Sequence, residues 1–176
     1  KRIFNAGLNE KVDIKFLDYR DLKGKYDSIA SIEMIEAVGE KYLDKYFSTI
    51  KENLKPRGIG AIQAIIIRDE LFERYRKNED FIQKYIFPGG FLPSLHSIKS
   101  HCRQSGLELT GYNSYGSHYS NTLKEWRGNF ARSWNDISKQ GFDLSFKKIW
   151  DFYFSYCEAG FKSKNIDLIQ FSLSNK

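Results

Sequence analysis

The pattern of apolar and polar residues in the first part of the chain predicts strands that alternate with a helix. The alternation in Val12–Leu17 and the apolar runs Tyr26–Ile32 and Ile59–Ile67 are typical of strands. The third run is almost wholly apolar, which predicts a strand covered on both faces. Between the last two runs, Lys41–Lys55 places its apolar residues at helical spacing. Strand, helix and strand in this order predict a βαβ unit.

The rest of the chain continues with helical patterns and two further strands. Lys1–Leu8 is typical of the end of a helix that Gly7 caps. The fold class is therefore α/β, the second half of a doubly wound sheet with helices inserted late. We expect the half with a glycine-rich phosphate or nucleotide turn to lie upstream. The predicted helices are Asp69–Gln83, Ser94–Ser105, Tyr119–Ile137 and Phe142–Phe161, and the predicted strands are Leu107–Tyr115 and Ile166–Leu173.

The composition of the chain indicates what kind of core and what kinds of partner such a domain would have. Aromatic residues make up 16% of the chain, which indicates a large core, an apolar cavity, or both. The net charge of +6 favours polyanionic partners, either nucleic acid or an anionic membrane surface. The basic residues are scattered over a solvated face, so we favour the membrane surface and expect no nucleic acid. No stretch approaches the ~18 apolar residues that a spanning helix needs.

Cysteines and histidines show no spacing that would indicate a disulfide framework or a metal site. Cys102 and Cys157 are far apart in sequence, and His96, His101 and His118 follow no ligand pattern. We interpret both cysteines as reduced thiols in a cytosolic protein and expect no metal.

Two carboxylates mark the end of the second predicted strand. Glu33 and Glu36 follow the run Tyr26–Ile32 directly, and Gly39 closes the turn. Ligands of open α/β sheets bind beyond the carboxyl ends of the strands. Carboxylates are costly there unless they face water, a partner or a substrate. This turn is therefore the predicted functional site.

Six sequence blocks, in order, resemble the cyclopropane-fatty-acyl-phospholipid synthase family, which includes the mycolic acid cyclopropane synthases. The strings FPGGFLPS and YCEAGF are unusual. Because they occur in the family's order together with EMIEAVG, the set of blocks is specific to this family. The blocks extend over essentially the whole chain. They are DYRDL (18–22), YDSIASIEMIEAVGEKY (26–42), YIFPGGFLPS (85–94), YGSHYSNTLKEW (115–126), FYFSYCEAGF (152–161) and DLIQ (167–170).

The resemblance implies a class I S-adenosylmethionine-dependent methyltransferase with inserted helices that form an acyl-chain pocket. Residues 1–176 would be the C-terminal part of a single methyltransferase domain, inactive without its glycine-rich first half. The implied reaction transfers a methyl group to the cis double bond of an unsaturated phospholipid acyl chain. The resulting cation then loses a proton and closes to a cyclopropane. The family's proton acceptor is a bound bicarbonate.

The same resemblance assigns cofactor-binding roles. Asp18, Tyr19 and Arg20 would flank the adenine of S-adenosylmethionine, because an acidic or backbone acceptor can bind its amino group while an aromatic ring packs on its face. Glu33 is a further candidate for cofactor contact. The alternatives are an ordinary turn for Asp18–Arg20 and a helix N-terminal acid for Glu33.

The resemblance also assigns catalytic residues around the bicarbonate. Glu36 matches a glutamate that holds this anion, and Tyr119 matches a tyrosine whose hydroxyl reaches it; the alternatives are a helix N-terminal acid and a core aromatic. Ile65 would offer a backbone group. Gln63 stands where the family often has a histidine, so it can donate a hydrogen bond but cannot titrate. Cyclopropane closure is thus less firmly implied than methyl transfer.

Two further features have both a functional and a structural interpretation. Cys157 matches a family cysteine proposed as catalytic, but it lacks a nearby base in sequence and is also typical of a small buried hydrophobe. The segment Phe87–Gly90 could form a wall of the acyl channel whose aromatic faces stabilise a cation, or a simple structural turn.

Three functional hypotheses follow. The first is a cyclopropane synthase that acts on membrane phospholipids, located in the cytoplasm at the inner face of the membrane. The second is a methyltransferase on another lipid or small molecule, without cyclisation. The third is a non-catalytic membrane-surface remnant. The sequence leaves the oligomeric state open, a homodimer included.

Overall fold

The computed structural model of this protein describes all 176 residues, Lys1–Lys176, and contains one four-stranded sheet. Strands β1 (Tyr26–Ile32) and β2 (Leu54–Ile67) pair in parallel. Helix α2 (Leu43–Asn53), which begins one residue after a 3-10 turn at Glu40–Tyr42, connects them. The predicted βαβ unit is therefore confirmed, and the carboxyl ends of both strands lie at the same edge of the sheet.

The last strand lies inside the sheet. The strand order is β1, β2, β4 and β3, where β3 is Leu107–Ser114 and β4 is Ile166–Asn175. Strand β4 runs antiparallel to both of its neighbours. Its register places Gln170 directly opposite Gln63 of β2, which brings a late part of the chain to the end of the βαβ unit.

Helices cover both faces of the sheet and divide the core in two. On one face, α2 and α5 (Leu95–Gln104) pack on the sheet and form the larger apolar cluster. Alternate residues of β2 and β4 point to the opposite face, where α6 (Gly116–Arg132) and α8 (Leu144–Lys162) form the smaller cluster. The larger cluster includes Tyr46, Phe47, Ile62, Ile98 and Leu173, and the smaller one comprises Leu123, Phe154, Phe161 and Leu168.

Four short helices and short 3-10 turns lie outside the strands and the longer helices. The predicted helix Asp69–Gln83 is divided, because Asp80 caps a new helix through its side chain. The predicted helix Tyr119–Ile137 is interrupted at Ser133, which follows α6. The short helices are α1 (Arg2–Asn5), α3 (Asp69–Tyr75), α4 (Phe81–Tyr85) and α7 (Trp134–Ser138), and 3-10 turns lie at Tyr19–Asp21 and Ile35–Ala37.

Two sequence predictions about strands are corrected by the structure. Val12–Leu17 forms no strand, and no backbone N–H of residues 13–17 donates to a backbone acceptor in the chain. Strand β2 is covered on both faces only in its second half, and Ile59 in its first half is 55% exposed. None of the helices is long and apolar enough to cross a membrane.

Candidate active site

Glu33 begins the loop after β1 in an unusual backbone conformation. Its φ of +48° lies in the left-handed region, which is uncommon for a residue with a side chain. The Glu33 N–H still donates to the carbonyl of Gln63 at 2.9 Å, so the loop turns while one more ladder bond holds it to β2. Such strain persists only where the surrounding structure determines it, and it is common at functional sites.

The carboxylate of Glu33 is the end point of a chain of hydrogen bonds. Gln63 Nε2 donates to Glu33 Oε1 at 2.7 Å, and the Tyr119 hydroxyl donates to Oε2 at 3.2 Å. Gln170 Nε2 donates in turn to Gln63 Oε1 at 2.7 Å. An ionised carboxylate can only accept, so it requires the amide nitrogen of Gln63 to face it. The orientation of Gln63 then requires Gln170 to donate.

Glu36 lies deeper, in the 3-10 turn Ile35–Ala37. The Ile65 N–H donates to Glu36 Oε1 at 2.5 Å, whereas Glu36 Oε2 is buried and has no hydrogen-bond partner. Burial raises the pKa of Glu36, the Ile65 N–H partly offsets this, and the nearby charge of Glu33 raises it further. A half-satisfied buried carboxylate is costly, so this residue indicates a site rather than a structural contact.

The segment FPGGF is the wall against which Glu36 rests. Phe91 donates its N–H to the carbonyl of Glu36 at 2.8 Å, and Gly90 donates to the carbonyl of Phe87 at 2.9 Å. Gly89 has a φ of +83°, and a Cβ on Gly90 would lie 3.0 Å from the carbonyl oxygen of Phe87. The glycines therefore allow a turn tight enough to pack on the Glu36 loop.

Aromatic residues from α6 and α8 enclose the other side of the site. Tyr119 packs against Phe161, with ring centroids 4.9 Å apart, and burial raises the pKa of its hydroxyl, with Glu33 as a further cause. Tyr153 contacts Phe87 edge to face, and burial raises its pKa to about 12. Both phenols are thus neutral donors with aromatic faces near the carboxylates.

Cys157 lies one turn of α8 beyond Tyr153. Burial raises the pKa of its thiol to about 12, so the thiol is neutral at ordinary pH. The thiolate, which is the nucleophilic form, is therefore scarce, and the catalytic role of Cys157 stays an untested prediction.

The predicted adenine-binding residues form a separate turn. Asp18 caps the 3-10 turn Tyr19–Asp21 and pairs with Arg20, whose guanidinium lowers the pKa of Asp18 to about 2. Tyr19 packs against Tyr46, whose hydroxyl donates to Ser31 of β1 at 2.8 Å. These contacts hold the turn beside the carboxyl half of β1, but no hydrogen bond joins it to Glu33.

The arrangement combines negative charge with neutral donors. Every hydrogen bond to the carboxylates of Glu33 and Glu36 comes from an amide, a phenol or a backbone N–H. No group of three or more His, Cys, Asp or Glu residues is positioned to hold a metal ion. Such a site suits a ligand or intermediate with positive charge, which carboxylates and aromatic faces both stabilise.

The structure brings together five residues that the sequence singled out, namely Glu33, Glu36, Gln63, Ile65 and Tyr119. Their predicted roles stay predictions. Gln170 and Tyr153 were not anticipated. A polar residue within the apolar strand pattern IDLIQFSL was the available signal for Gln170.

The fold places the chain among class I methyltransferases. It resembles mycolic acid cyclopropane synthase CmaA1 in the crystal structure complexed with SAH and CTAB, with a TM-score of 0.78, 26% identity, and coverage of 89% of this chain and 57% of that chain. The likeness to cyclopropane synthase MmaA2 of Mycobacterium tuberculosis has a TM-score of 0.80 at 21% identity, with coverage of 96% of this chain and 65% of that chain, and shows the fold alone.

The family follows from sequence. The mycolic acid cyclopropane synthetase family matches residues 1–171, and the chain belongs to it. It is 40% identical over 174 residues to tuberculostearic acid methyltransferase UfaA1 of Mycobacterium tuberculosis. The aligned region covers 98% of this chain and 41% of that protein. It is 34% identical over 164 residues to the cyclopropane-fatty-acyl-phospholipid synthase of Escherichia coli K12. The aligned region covers 92% of this chain and 41% of that protein. The chain thus spans less than half the length of these relatives.

Proposed function

We propose that this protein transfers a methyl group from S-adenosylmethionine to the cis double bond of an unsaturated phospholipid acyl chain, and that the added carbon closes to a cyclopropane. The observation that carries the proposal is the pair of carboxylates, Glu33 and Glu36, which have only neutral donors and lie beside aromatic rings. A reaction that passes through a carbocation is stabilised by such surroundings.

The residues present fit the cofactor. S-adenosylmethionine supplies an electrophilic methyl group on a positively charged sulfur. The buried, unpartnered Glu36 Oε2 and the nearby carboxylate of Glu33 complement that positive charge. The turn Asp18–Arg20 would hold the adenine side, where the half-buried ring of Tyr19 offers an apolar face. We propose residues 1–176 as the C-terminal part of one methyltransferase domain.

In the proposed reaction, residues of this chain stabilise the positive charge that forms on the substrate. Addition of the methyl group to one alkene carbon leaves positive charge on its neighbour. The aromatic rings of Phe87 and Tyr153, whose centroids are 6.1 Å apart, can stabilise this charge. Glu36 adds electrostatic stabilisation from its buried position. Loss of a proton from the added methyl group then closes the ring.

The bicarbonate implied by the family resemblance fits this chain poorly. Its proposed donors are already engaged, since Gln63 and Tyr119 donate to Glu33 and the Ile65 N–H donates to Glu36. An anion placed here would meet two carboxylates, and the one donor left over among these three groups is the second N–H of the Gln63 amide. We therefore derive no step through bicarbonate.

A second candidate product is a methyl- or methylene-branched chain. Gln63 cannot titrate, and one relative, at 40% identity, is a tuberculostearic acid methyltransferase. In this case a hydride shift precedes proton loss, and an alkene forms in place of the ring. NMR of the extracted lipid separates the products, because cyclopropane protons resonate upfield of all other acyl protons. Olefinic methylene signals without upfield signals would replace the first candidate by the second.

The whole proposal is tested with the complete gene product. It is incubated with cis-unsaturated phospholipid vesicles and methyl-labelled S-adenosylmethionine, and the label is followed into the lipid. Incorporation that requires the double bond is expected. Label in saturated lipid would indicate another acceptor, and no label at all would favour a non-catalytic remnant.

We further propose that the protein works in the cytoplasm, peripherally bound to the anionic inner face of the membrane, with a homodimer as one state of assembly. The net charge of +6 supports attraction to anionic lipid. Vesicle binding should therefore rise with the anionic lipid fraction and fall with salt. Equal binding to neutral vesicles at every salt concentration would contradict this.

A further inference from the structure

Glu33 receives the two side chains that the family resemblance assigns to a bound anion. Tyr119 and Gln63 each donate to one of its carboxylate oxygens, at 3.2 Å and 2.7 Å. The negative charge that these donors were expected to bind is therefore supplied by the chain itself.

The backbone conformation of Glu33 is energetically unfavourable. A φ of +48° is unfavourable for a glutamate, whereas glycine adopts it freely. The side chain also lies at an exposed position, so its carboxylate has a path to solvent. Two side chains donate to this carboxylate, Gln63 from β2 and Tyr119 from α6, and Gln170 from β4 donates in turn to Gln63.

We propose that the carboxylate of Glu33 is the proton acceptor of this protein, in the place that the family gives to bicarbonate. The inference rests on the proposed function. After methyl transfer, a C–H bond of the added methyl group breaks, and its electron pair forms the C–C bond to the cationic carbon. The proton moves to Glu33 Oε2, whose bond to Tyr119 is the longer of the two, and passes from there to solvent.

In this proposal Gln170 is a positioning residue. Its donation to Gln63 Oε1 fixes the Gln63 amide with Nε2 toward Glu33 Oε1. Oε1 then has the shorter hydrogen bond, at 2.7 Å, and Oε2 has the longer one, at 3.2 Å. Proton transfer is assigned to Glu33 rather than to Glu36 because Glu33 is exposed and can pass the proton to solvent, whereas the unpartnered Oε2 of Glu36 is buried and contributes charge.

The first test is bicarbonate dependence. The complete gene product is assayed on cis-unsaturated phospholipid vesicles in buffer freed of carbon dioxide, with and without added bicarbonate. The wild-type rate should change by less than about twofold, because the acceptor is part of the chain. A rate that falls about tenfold or more in depleted buffer, and that bicarbonate restores, would overturn the inference.

The second test replaces the carboxylate. Glu33→Gly relieves the strained φ and frees Gln63 and Tyr119, so the rate should fall about 100-fold or more and be partly restored by bicarbonate or formate. Glu33→Gln keeps the volume of the side chain, so its loss should not be restored. Glu79→Gly, at an exposed loop glutamate, is the control and should leave the rate unchanged. A Glu33→Gly variant with the wild-type rate would contradict the proposal.

A binding measurement gives a readout that is independent of turnover. The carbon-13 line of labelled bicarbonate should broaden with folded Glu33→Gly protein and not with the wild type. Broadening by the wild type that is lost in Glu33→Gly would overturn the inference. Wild-type protein that methylates no lipid in either buffer would refute the proposed function, whereas bicarbonate-dependent methylation would refute this inference alone.

Discussion

Partly buried polar groups lie at both ends of the sheet, but their hydrogen bonding differs between the two ends. At the amino ends of β1 and β2, Lys51 Nζ donates to the carbonyl of Gly106 at 2.9 Å and to Asn175 Oδ1, and Asn175 Nδ2 donates to the carbonyl of Leu54 at 2.8 Å. The two side chains thus meet acceptors and donors of matching kind. At the carboxyl ends, Glu36 Oε2 has no partner and Glu33 is strained.

The difference separates stability from function. Satisfied polar contacts across distant segments stabilise a fold, whereas an unsatisfied carboxylate and a left-handed glutamate cost free energy. Such costs are characteristic of functional sites, where local rules are broken for a purpose. The amino end should therefore govern unfolding, and the carboxyl end should govern turnover.

The largest expected effect is on turnover at the carboxyl end. Glu36→Gln keeps the size of the side chain but removes the charge that complements a cationic transition state. The rate of lipid methylation should fall about 100-fold or more, while the free energy of unfolding does not decrease. Initial rates and thermal melts measure both quantities. A variant that loses stability in proportion to activity would show that Glu36 is a structural residue.

The next effect is on stability at the amino end. Lys51→Met keeps the apolar stem but leaves the Asn175 oxygen and the Gly106 carbonyl without their donor. The free energy of unfolding should fall by about 1–3 kcal/mol, with the rate per folded molecule unchanged.

A matched control for this variant is Lys55→Met. Lys55 pairs with Asp27 on the surface at 2.8 Å, and such pairs contribute about 0–1 kcal/mol. Denaturant titration compares the two variants. Equal losses of stability would mean that the contacts of Lys51 add nothing beyond a surface ion pair.

A smaller effect is expected at Gln170, at the far end of the hydrogen-bond chain. Gln170→Leu removes the donor that orients Gln63, so kcat should fall roughly two- to tenfold, the value of one hydrogen bond, with little change in KM. Asn113→Leu, which lies opposite Gln170 on β3 and outside the chain of hydrogen bonds, is the control. A similar decrease in both variants would point to a general effect on the sheet.

The smallest effect concerns the pH dependence of stability. Glu36 has a raised pKa in the folded state, so the folded protein binds this proton more tightly than the unfolded chain. Stability from this source is present at low pH and is lost as pH rises from the ordinary carboxyl range through the raised pKa. As pH increases, the wild type should therefore lose stability relative to Glu36→Gln, measured as the difference in their free energies of unfolding. A shift in its favour would show that the pKa of Glu36 is lowered.

The sequence predicted the elements whose pattern is local. The apolar run Tyr26–Ile32 is strand β1 at the same boundaries, and helix α5 lies within the predicted Ser94–Ser105. Val12–Leu17 has an alternating pattern too, but alternation does not reveal whether a neighbouring strand exists to pair with it.

The geometry of the site depended on information that no local pattern carries. Gln63 and Gln170 are 107 residues apart in sequence, and only the register of β2 against β4 brings them together. The conformation of Glu33 was equally hidden, because a left-handed turn is normally indicated by glycine or asparagine. The residue types at the site could be predicted, but the partners of each could not.

The position of β4 has a consequence for the order in which the protein is assembled. During synthesis β2 and β3 emerge first, yet they share no ladder, and each pairs with β4. The larger core and the link from Gln170 to Gln63 must therefore wait for a strand made after α8. Pairing between distant segments is slow because the intervening chain must be ordered first. Most of this domain is thus synthesised before its sheet can close, and the active site matures only after β4 has emerged from the ribosome.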